Sequence, residues 1–145
     1  MKPKNPDYAV ETTRILSEAP FISDLGIETV GFEPGRCETT LLLASRHLQQ
    51  DGFVHAAVQA AIADHTAGAA GATLIGADEL VLTAEFKINL LRPAKGERLR
   101  CVAGVLKPGN QITVVESEVF CENSGATKLV SKATVTLAVI GKRAP

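Results

Sequence analysis

Residues 52–65 read GFVHAAVQAAIADH, an alanine-rich run with Gly52 and His55 at its start and one carboxylate, Asp64, near its end. A carboxylate among alanines has an ordinary reading, as an exposed or capping residue, and a chemical one, as a general base or nucleophile. The chemical reading needs a second feature. If the run is helical, its first turn leaves N–H groups unpaired and carries a partial positive charge, which stabilises an oxyanion forming on a carbonyl. His55 and Ala56 fall at that end. A carboxylate, an oriented water and such a hole suffice to hydrolyse an activated acyl carbonyl, with neither a metal nor a serine triad.

Asp64 and His55 stand nine positions apart. At about 100° and 1.5 Å per residue this puts them on opposite faces of one helix, roughly 13 Å apart along it. They cannot form a dyad within one chain. A site that uses both takes the helix end from one subunit and Asp64 from another. His55 itself reads as structural, closing the helix start through hydrogen bonds. His47 and His65 lack metal-ligand spacing with it and read as surface or interface residues, so no metal site is expected.

The elements that must position these groups are legible as patterns. Residues 7–18, DYAVETTRILSE, suit a short amphipathic helix after Pro6, with Pro20 ending it. GIETVGF and RCETTLLLA are β-branched and alternating, and EPG between them makes a hairpin. Residues 53 to about 71 form the one long helix, bounded by Gly52 and Gly71. In VLTAEFKINLLRP the apolar Leu82, Ala84, Phe86, Ile88 and Leu90 alternate with Thr83, Glu85, Lys87 and Asn89, the period of a strand with one buried face, closed by Pro93. ERLRCVAGVL, QITVVESEVF and TKLVSKATVTLAVI follow, divided by the turn sequences KPGN and ENSG. In the last of these, Leu129, Ala133, Val135, Leu137 and Val139 share a face that Ser131 interrupts. The layout is α+β: an N-terminal helical segment over 1–19, then one domain over 20–141 in which a curved antiparallel sheet wraps a helix of small side chains.

Composition sets the bounds. A chain of 145 residues can bury a sufficient core without disulfides or metal. With 46% apolar and 21% charged residues and a net charge of -1, it has no field to draw nucleic acid or an anionic membrane, so an anionic ligand must be held by local cations. Cys37, Cys101 and Cys121 are odd in number and form no CxxC pair, which points away from a disulfide framework or zinc and toward a reducing compartment. The N-terminus has no apolar run behind its lysines and no stretch is long enough to span a membrane, so a cytoplasmic protein is expected.

The stretch RHLQQDGFVHAAVQAAIADHTAG, followed by a strand ending in LLRPAKGE and two long strands, resembles hotdog-fold acyl-CoA thioesterases of the phenylacetate-pathway (PaaI-like) type. The likeness covers about residues 20 to 140 and rests on a G-x-x-H opening of the central helix with an acid nine residues later. It implies Asp64 as general base or nucleophile toward the thioester, the Ala56 N–H as oxyanion donor, Gln49 as the amide that helps hold the carbonyl or the water, and Thr83 as the hydroxyl that positions the water. Gly52 and His55 are the fixed points of the motif. It also implies a homodimer with active sites at the subunit interface, often paired again into a homotetramer, an acyl-CoA substrate, and no cofactor. Two departures stand out: His55-Ala56-Ala57 replaces the common HGG, and Gln49 replaces the commoner Asn. An alanine still supplies a backbone N–H, while its methyl group narrows the space beside it.

Several readings stay open beside this one. Arg92, Lys95, Arg98 and Arg100, with Lys107, are candidates for the CoA phosphates or simply a solvated strand end. Thr83 is equally an ordinary strand residue, and Gln49 and Gln50 are adjacent, so a slip of one would exchange their roles. A hotdog enoyl-CoA hydratase is disfavoured because Asp51-Gly-Phe-Val-His55 lacks the Asn-Pro of a D-x-N-P-x-x-H signature. A hotdog protein that binds acyl-CoA without turning it over remains the alternative of another class.

Overall fold

The computed structural model describes residues 1–142. Two short helices, α1 (Tyr8–Ser17) and α2 (Pro20–Leu25), lead into a hairpin of β1 (Ile27–Glu33) and β2 (Arg36–Leu42). The long helix α3 (Ala56–Ala72) follows, then β3 (Glu79–Leu90), β4 (Arg98–Lys107), β5 (Ile112–Asn123) and β6 (Ala126–Gly141). Pro20 does not close the first helix. That helix ends at Ser17, and Pro20 opens α2, at a position where its missing N–H would have had no helical partner anyway.

The six strands form one antiparallel sheet in the order β1-β2-β4-β5-β6-β3, so β1 and β3 are its edges. Helix α3 packs against all six strands, least against β1, so the sheet wraps around it as the α+β hotdog layout requires. Small side chains make this possible: Ala63, Ala67, Ala69 and Ala70 are fully buried against Leu99, Val115 and Leu137. Gly71 lies inside the helix instead of beyond it, and a Cβ there would collide with Cδ1 of Leu137. Its absence lets the last turn approach β6.

Three hydroxyls fix the rotation of α3. Thr66 donates to the Ile62 carbonyl at 2.6 Å and accepts from Thr39 of β2 at 2.6 Å, while Ser117 of β5 donates to the Ala63 carbonyl at 2.8 Å. With residues 63 and 66 held to the sheet, Asp64 turns about 100° from Ala63, toward the β3 edge.

The alternation expected of β3 is broken. A bulge between Thr83 and Glu85 leaves Ala84 without a partner and reverses the faces around it. Val81 and Thr83, opposite Val139 and Leu137, lie on the helix side together with Phe86 and Ile88, whereas Leu82 lies on the other face. Nor is the face buried: Leu82, Phe86 and Leu90 are exposed. In the pairing of β5 with β6 a similar irregularity, between Val119 and Phe120 of β5, leaves Val130 of β6 without a partner and places Val130 and Ser131, but not Leu129, among the buried residues.

The link from β2 to α3 carries structure that no periodicity announced, a 3₁₀ turn (Ser45–His47) and a bridge between Leu48 and Val54. His47 is not a surface residue. It is 1% exposed, its Nδ1 accepts from the Ala44 N–H at 2.9 Å, and its Nε2–H therefore donates to the Leu25 carbonyl at 2.8 Å. It ties α2 to the segment that delivers the start of α3.

Candidate active site

The start of α3 is built by a tight reversal. Gln49 N–H donates to the Phe53 carbonyl at 2.8 Å and Gly52 N–H to the Gln49 carbonyl at 3.0 Å. Gly52 sits at φ +82, a left-handed conformation that costs glycine nothing and a larger residue about 1 kcal/mol or more. The helix then begins three residues later than the sequence pattern suggests, at Ala56, with His55 as its N-cap. Val54 N–H bonds the Ala94 carbonyl at 2.8 Å and His55 N–H the His47 carbonyl at 2.9 Å, so the approach is anchored on both sides.

His55 decides which N–H is left over. Its Nδ1 accepts from Ala57 N–H at 2.9 Å, while Val58 N–H and Gln59 N–H both turn to the His55 carbonyl, at 3.0 and 3.4 Å. Among the described residues, the Ala56 N–H is the donor of the first turn without a partner. A cap that accepts through Nδ1 leaves Nε2 as the donor end of the ring, and His55 acts by satisfying its neighbour.

Beside this donor opens a cleft of about 420 Å³, lined by Gln49, Phe53, Ala56, Gln59, Leu90 and Pro93 among others. Gln49, not Gln50, faces it. The Gln49 Oε1 accepts from the Asp51 N–H, leaving its Nε2 as the end able to donate to a ligand, whereas Gln50 donates outward to Asp51 Oδ2 at 3.0 Å.

Asp64 opens onto a different cleft, of about 370 Å³, lined by Glu11, Arg14, Ile15, His65, Leu82 and Thr83 among others. The two clefts share no lining residue. Thr83 donates its hydroxyl to Asp64 Oδ1 at 2.8 Å, so the strand bulge that turned Thr83 to the helix side also gives the carboxylate its orientation. Helix α1, whose Thr12 and Leu16 are buried, forms one wall through Ile15 and through an ion pair in which Arg14 Nη2 meets Glu11 Oε1 at 2.8 Å. Arg14, and after it Lys142, holds the Glu11 carboxyl down to about 2 against an opposing effect of burial. His65 is pushed below its ordinary value by burial, with the charge of Asp64 acting the other way, and its covered Nε2 has no partner among the described residues. Neither Glu11, Arg14 nor His65 was marked by spacing. Glu11 and Arg14 come to Asp64 through the packing of α1 on α3, which leaves no local signature, whereas His65 adjoins Asp64 in the chain.

The candidate phosphate-binding cations are scattered. Arg92 donates to the Leu129 carbonyl at 2.9 Å and Lys95 lies 6.0 Å from the Phe53 ring centroid, both near the start of α3. Arg98 and Arg100 are engaged by Glu122 and Glu38, within 4.0 and 3.3 Å. Lys107 sits at the far end of β4 from Arg98, about 30 Å along an extended strand. Among the described residues no cluster of His, Cys, Asp and Glu could hold a metal ion, and no helix is long and apolar enough to cross a membrane.

Known proteins place the chain. Residues 51–128, the span from the turn before α3 into β6, match the thioesterase superfamily. A thioesterase family protein from Silicibacter pomeroyi is 32% identical, with a TM-score of 0.90 over 92% of this chain and 98% of that one. A thioesterase from Haemophilus influenzae is 26% identical, with a TM-score of 0.79 over 88% of this chain and 87% of that one. A 1,4-dihydroxy-2-naphthoyl-CoA hydrolase from Listeria monocytogenes is 29% identical, covering 82% of this chain and 94% of its own. With its antiparallel sheet wrapped around one helix, the chain belongs to the thioesterase superfamily and is a thioester hydrolase of the hotdog fold.

Proposed function

We propose that the protein hydrolyses acyl-CoA thioesters in the manner of the phenylacetate-pathway type, at a site formed between two copies of the chain. Asp64 of one copy takes a proton from water, and the water oxygen adds to the thioester carbonyl carbon. The resulting oxyanion rests on the Ala56 N–H of the other copy, with the Gln49 Nε2 beside it. The C–S bond then breaks, and the CoA thiolate leaves with the proton that Asp64 returns. Thr83 orients the carboxylate in this reading instead of holding the water, and Arg92 and Lys95 lie at the end where CoA phosphates would enter.

The observation that carries the proposal is the 2.8 Å hydrogen bond from Thr83 to Asp64 Oδ1, which aims a carboxylate into a cleft of its own. The helix-start cleft and the Asp64 cleft lie toward opposite ends of β3, at Leu90 and at Leu80–Thr83. This edge strand has unpaired backbone groups and exposed Leu82, Phe86 and Leu90, the features of a strand that pairs with another. Antiparallel pairing of β3 with a second β3 would bring each Asp64 toward the other helix start, and a tetramer would join two such dimers. The CoA thioester class is supported by the Listeria relative, a CoA hydrolase. Thiol release from aryl, short, medium and long acyl-CoA esters, measured with wild-type protein and Asp64→Asn, tests the proposal. Activity is expected to fall at least a hundredfold in a variant that keeps its fold and assembly. Equal activity in both proteins would remove Asp64 from the chemistry.

A further inference from the structure

The concave face of the sheet is apolar along α3, where Leu99, Cys101, Val119 and Val135 are buried. At the helix-start end the hairpin of β5 and β6 departs from that rule. Lys128 stands directly opposite Cys121, a buried residue of the inner face, so antiparallel pairing puts the lysine on that face too. Asn123, two residues beyond Cys121, shares it. The connection from β3 to β4 closes over this end and brings Pro93 and Lys95. Together they enclose a cleft of about 250 Å³, which the buried Cys121 and Val130 also line.

This cleft presents donors and no carboxylate. Neither Lys95 nor Lys128 takes part in an ion pair among the described residues. Asn123 Oδ1 accepts from Ser124 Oγ at 3.4 Å, which leaves its Nδ2 to donate. Of the acids beside these residues in the chain, Glu122 is held on the other face by Arg98 and Arg100, within 4.0 and 3.5 Å, and Glu97 does not line the cleft. Two ammonium groups at one cleft repel each other, and walls of low dielectric focus their field onto an anion. Those walls are pinned. Glu97 N–H bonds the Glu122 carbonyl and Leu91 N–H the Val130 carbonyl, each at 2.8 Å, and a Cβ on Gly96 would collide with the Glu122 carbonyl oxygen. Ala94 in the same connection accepts from Val54 N–H at 2.8 Å, so an occupant braces the segment that leads into α3.

We propose that this cleft binds a phosphate monoester. Its two negative charges match the two ammonium groups, and its oxygens accept from them and from Asn123 Nδ2. The assignment does not depend on Asp64 or on the reaction. A phosphate monoester is carried by CoA, as its 3′-phosphate, and by separate phosphorylated ligands, and the cleft's chemistry is the same for both.

The test is isothermal titration of the protein with inorganic phosphate, with sodium chloride holding the ionic strength constant so that screening does not enter. Wild-type protein is expected to bind phosphate saturably. Lys128→Gln and Lys95→Gln should each weaken Kd about tenfold, while Lys128→Arg, which keeps the charge, should stay within about threefold. Titration with CoA and with dephospho-CoA, which lacks the 3′-phosphate, separates the sources. A preference for CoA of about tenfold that disappears in Lys128→Gln, with phosphate competing against CoA, assigns the cleft to the substrate's own phosphate. Phosphate binding that persists beside saturating CoA assigns it to a second ligand. Absence of saturable phosphate binding together with equal affinity for CoA and dephospho-CoA would overturn the proposal. So would binding that is unchanged in both glutamine variants, since the phosphate would then sit elsewhere.

Discussion

Replacing Ala56 by proline deletes one N–H and very little else, which makes it a direct test of the oxyanion hole. The residue occupies the first position of α3, where a helix tolerates proline because the N–H there has no intrahelical partner. His55 before it has φ -60 and ψ 139, the extended conformation that a residue preceding proline prefers. No internal hydrogen bond is lost, since the Ala56 N–H has no partner among the described residues. Stability should therefore change by no more than about 1 kcal/mol, roughly 3 °C in Tm for a chain of this size. Losing an oxyanion donor costs about 3–4 kcal/mol of transition-state stabilisation, or about 100- to 1,000-fold in kcat. The assay is thiol release from the best acyl-CoA, alongside thermal melting and the oligomeric state. A drop that falls on kcat and spares KM marks an interaction made in the transition state. Ala56→Gly keeps the N–H and should stay within a few fold of wild type. Ala57→Pro removes the N–H that caps onto His55 and should instead cost about 1 kcal/mol of stability. An Ala56→Pro protein that folds, assembles and turns over at the wild-type rate would refute the hole at the helix start.

Thr83→Val removes the 2.8 Å hydrogen bond that orients Asp64. Hydrogen bonds to charged groups are worth about 1.5–3 kcal/mol, and the exposed strand edge argues for the lower end, so kcat/KM should fall roughly tenfold and recover in Thr83→Ser; an unchanged rate would leave Thr83 as an ordinary strand residue. Glu11, held down to about 2 by Arg14 and then Lys142, sets an acid dependence. Its folded-state value lies below the ordinary 4.5, so its contribution is complete above about 4.5 and disappears as the pH falls through about 2. Melting curves of wild type and Glu11→Gln should thus be separated at pH 6 and converge between pH 4.5 and pH 2, and a gap that persists at pH 2 would contradict the assignment.

Much of the fold could be read from local patterns because the forces that produce it are local. An alanine-rich run between turn residues makes a helix whatever surrounds it, and alternating β-branched segments divided by EPG, KPGN and ENSG make antiparallel strands. The distance of Asp64 from the helix start along α3 followed from helical rise alone. What failed were predictions that depended on neighbours. Pro20 opened a helix because the five residues after it could pack Ile22 into the core. His47 was drawn inside because the Ala44 and Leu25 backbone groups offered its ring both a donor and an acceptor.

The chain's own residue types determined that a carboxylate, a capped helix end and an amide would be available, and roughly where along the polymer each would fall. Only the tertiary structure decided how they are used. Whether Thr83 faces the helix depends on a bulge in the pairing of β3 with β6, and that bulge turns one side chain toward Asp64 and its neighbour Leu82 away. Which N–H is left free depends on the ring of His55 reaching Ala57 and not Ala56. Gln59 is an unremarked amide in an apolar run until the sheet closes over it and leaves its oxygen without a partner. These outcomes rest on contacts between residues distant in the chain or on the choice among nearby donors, and pattern along one dimension does not encode either.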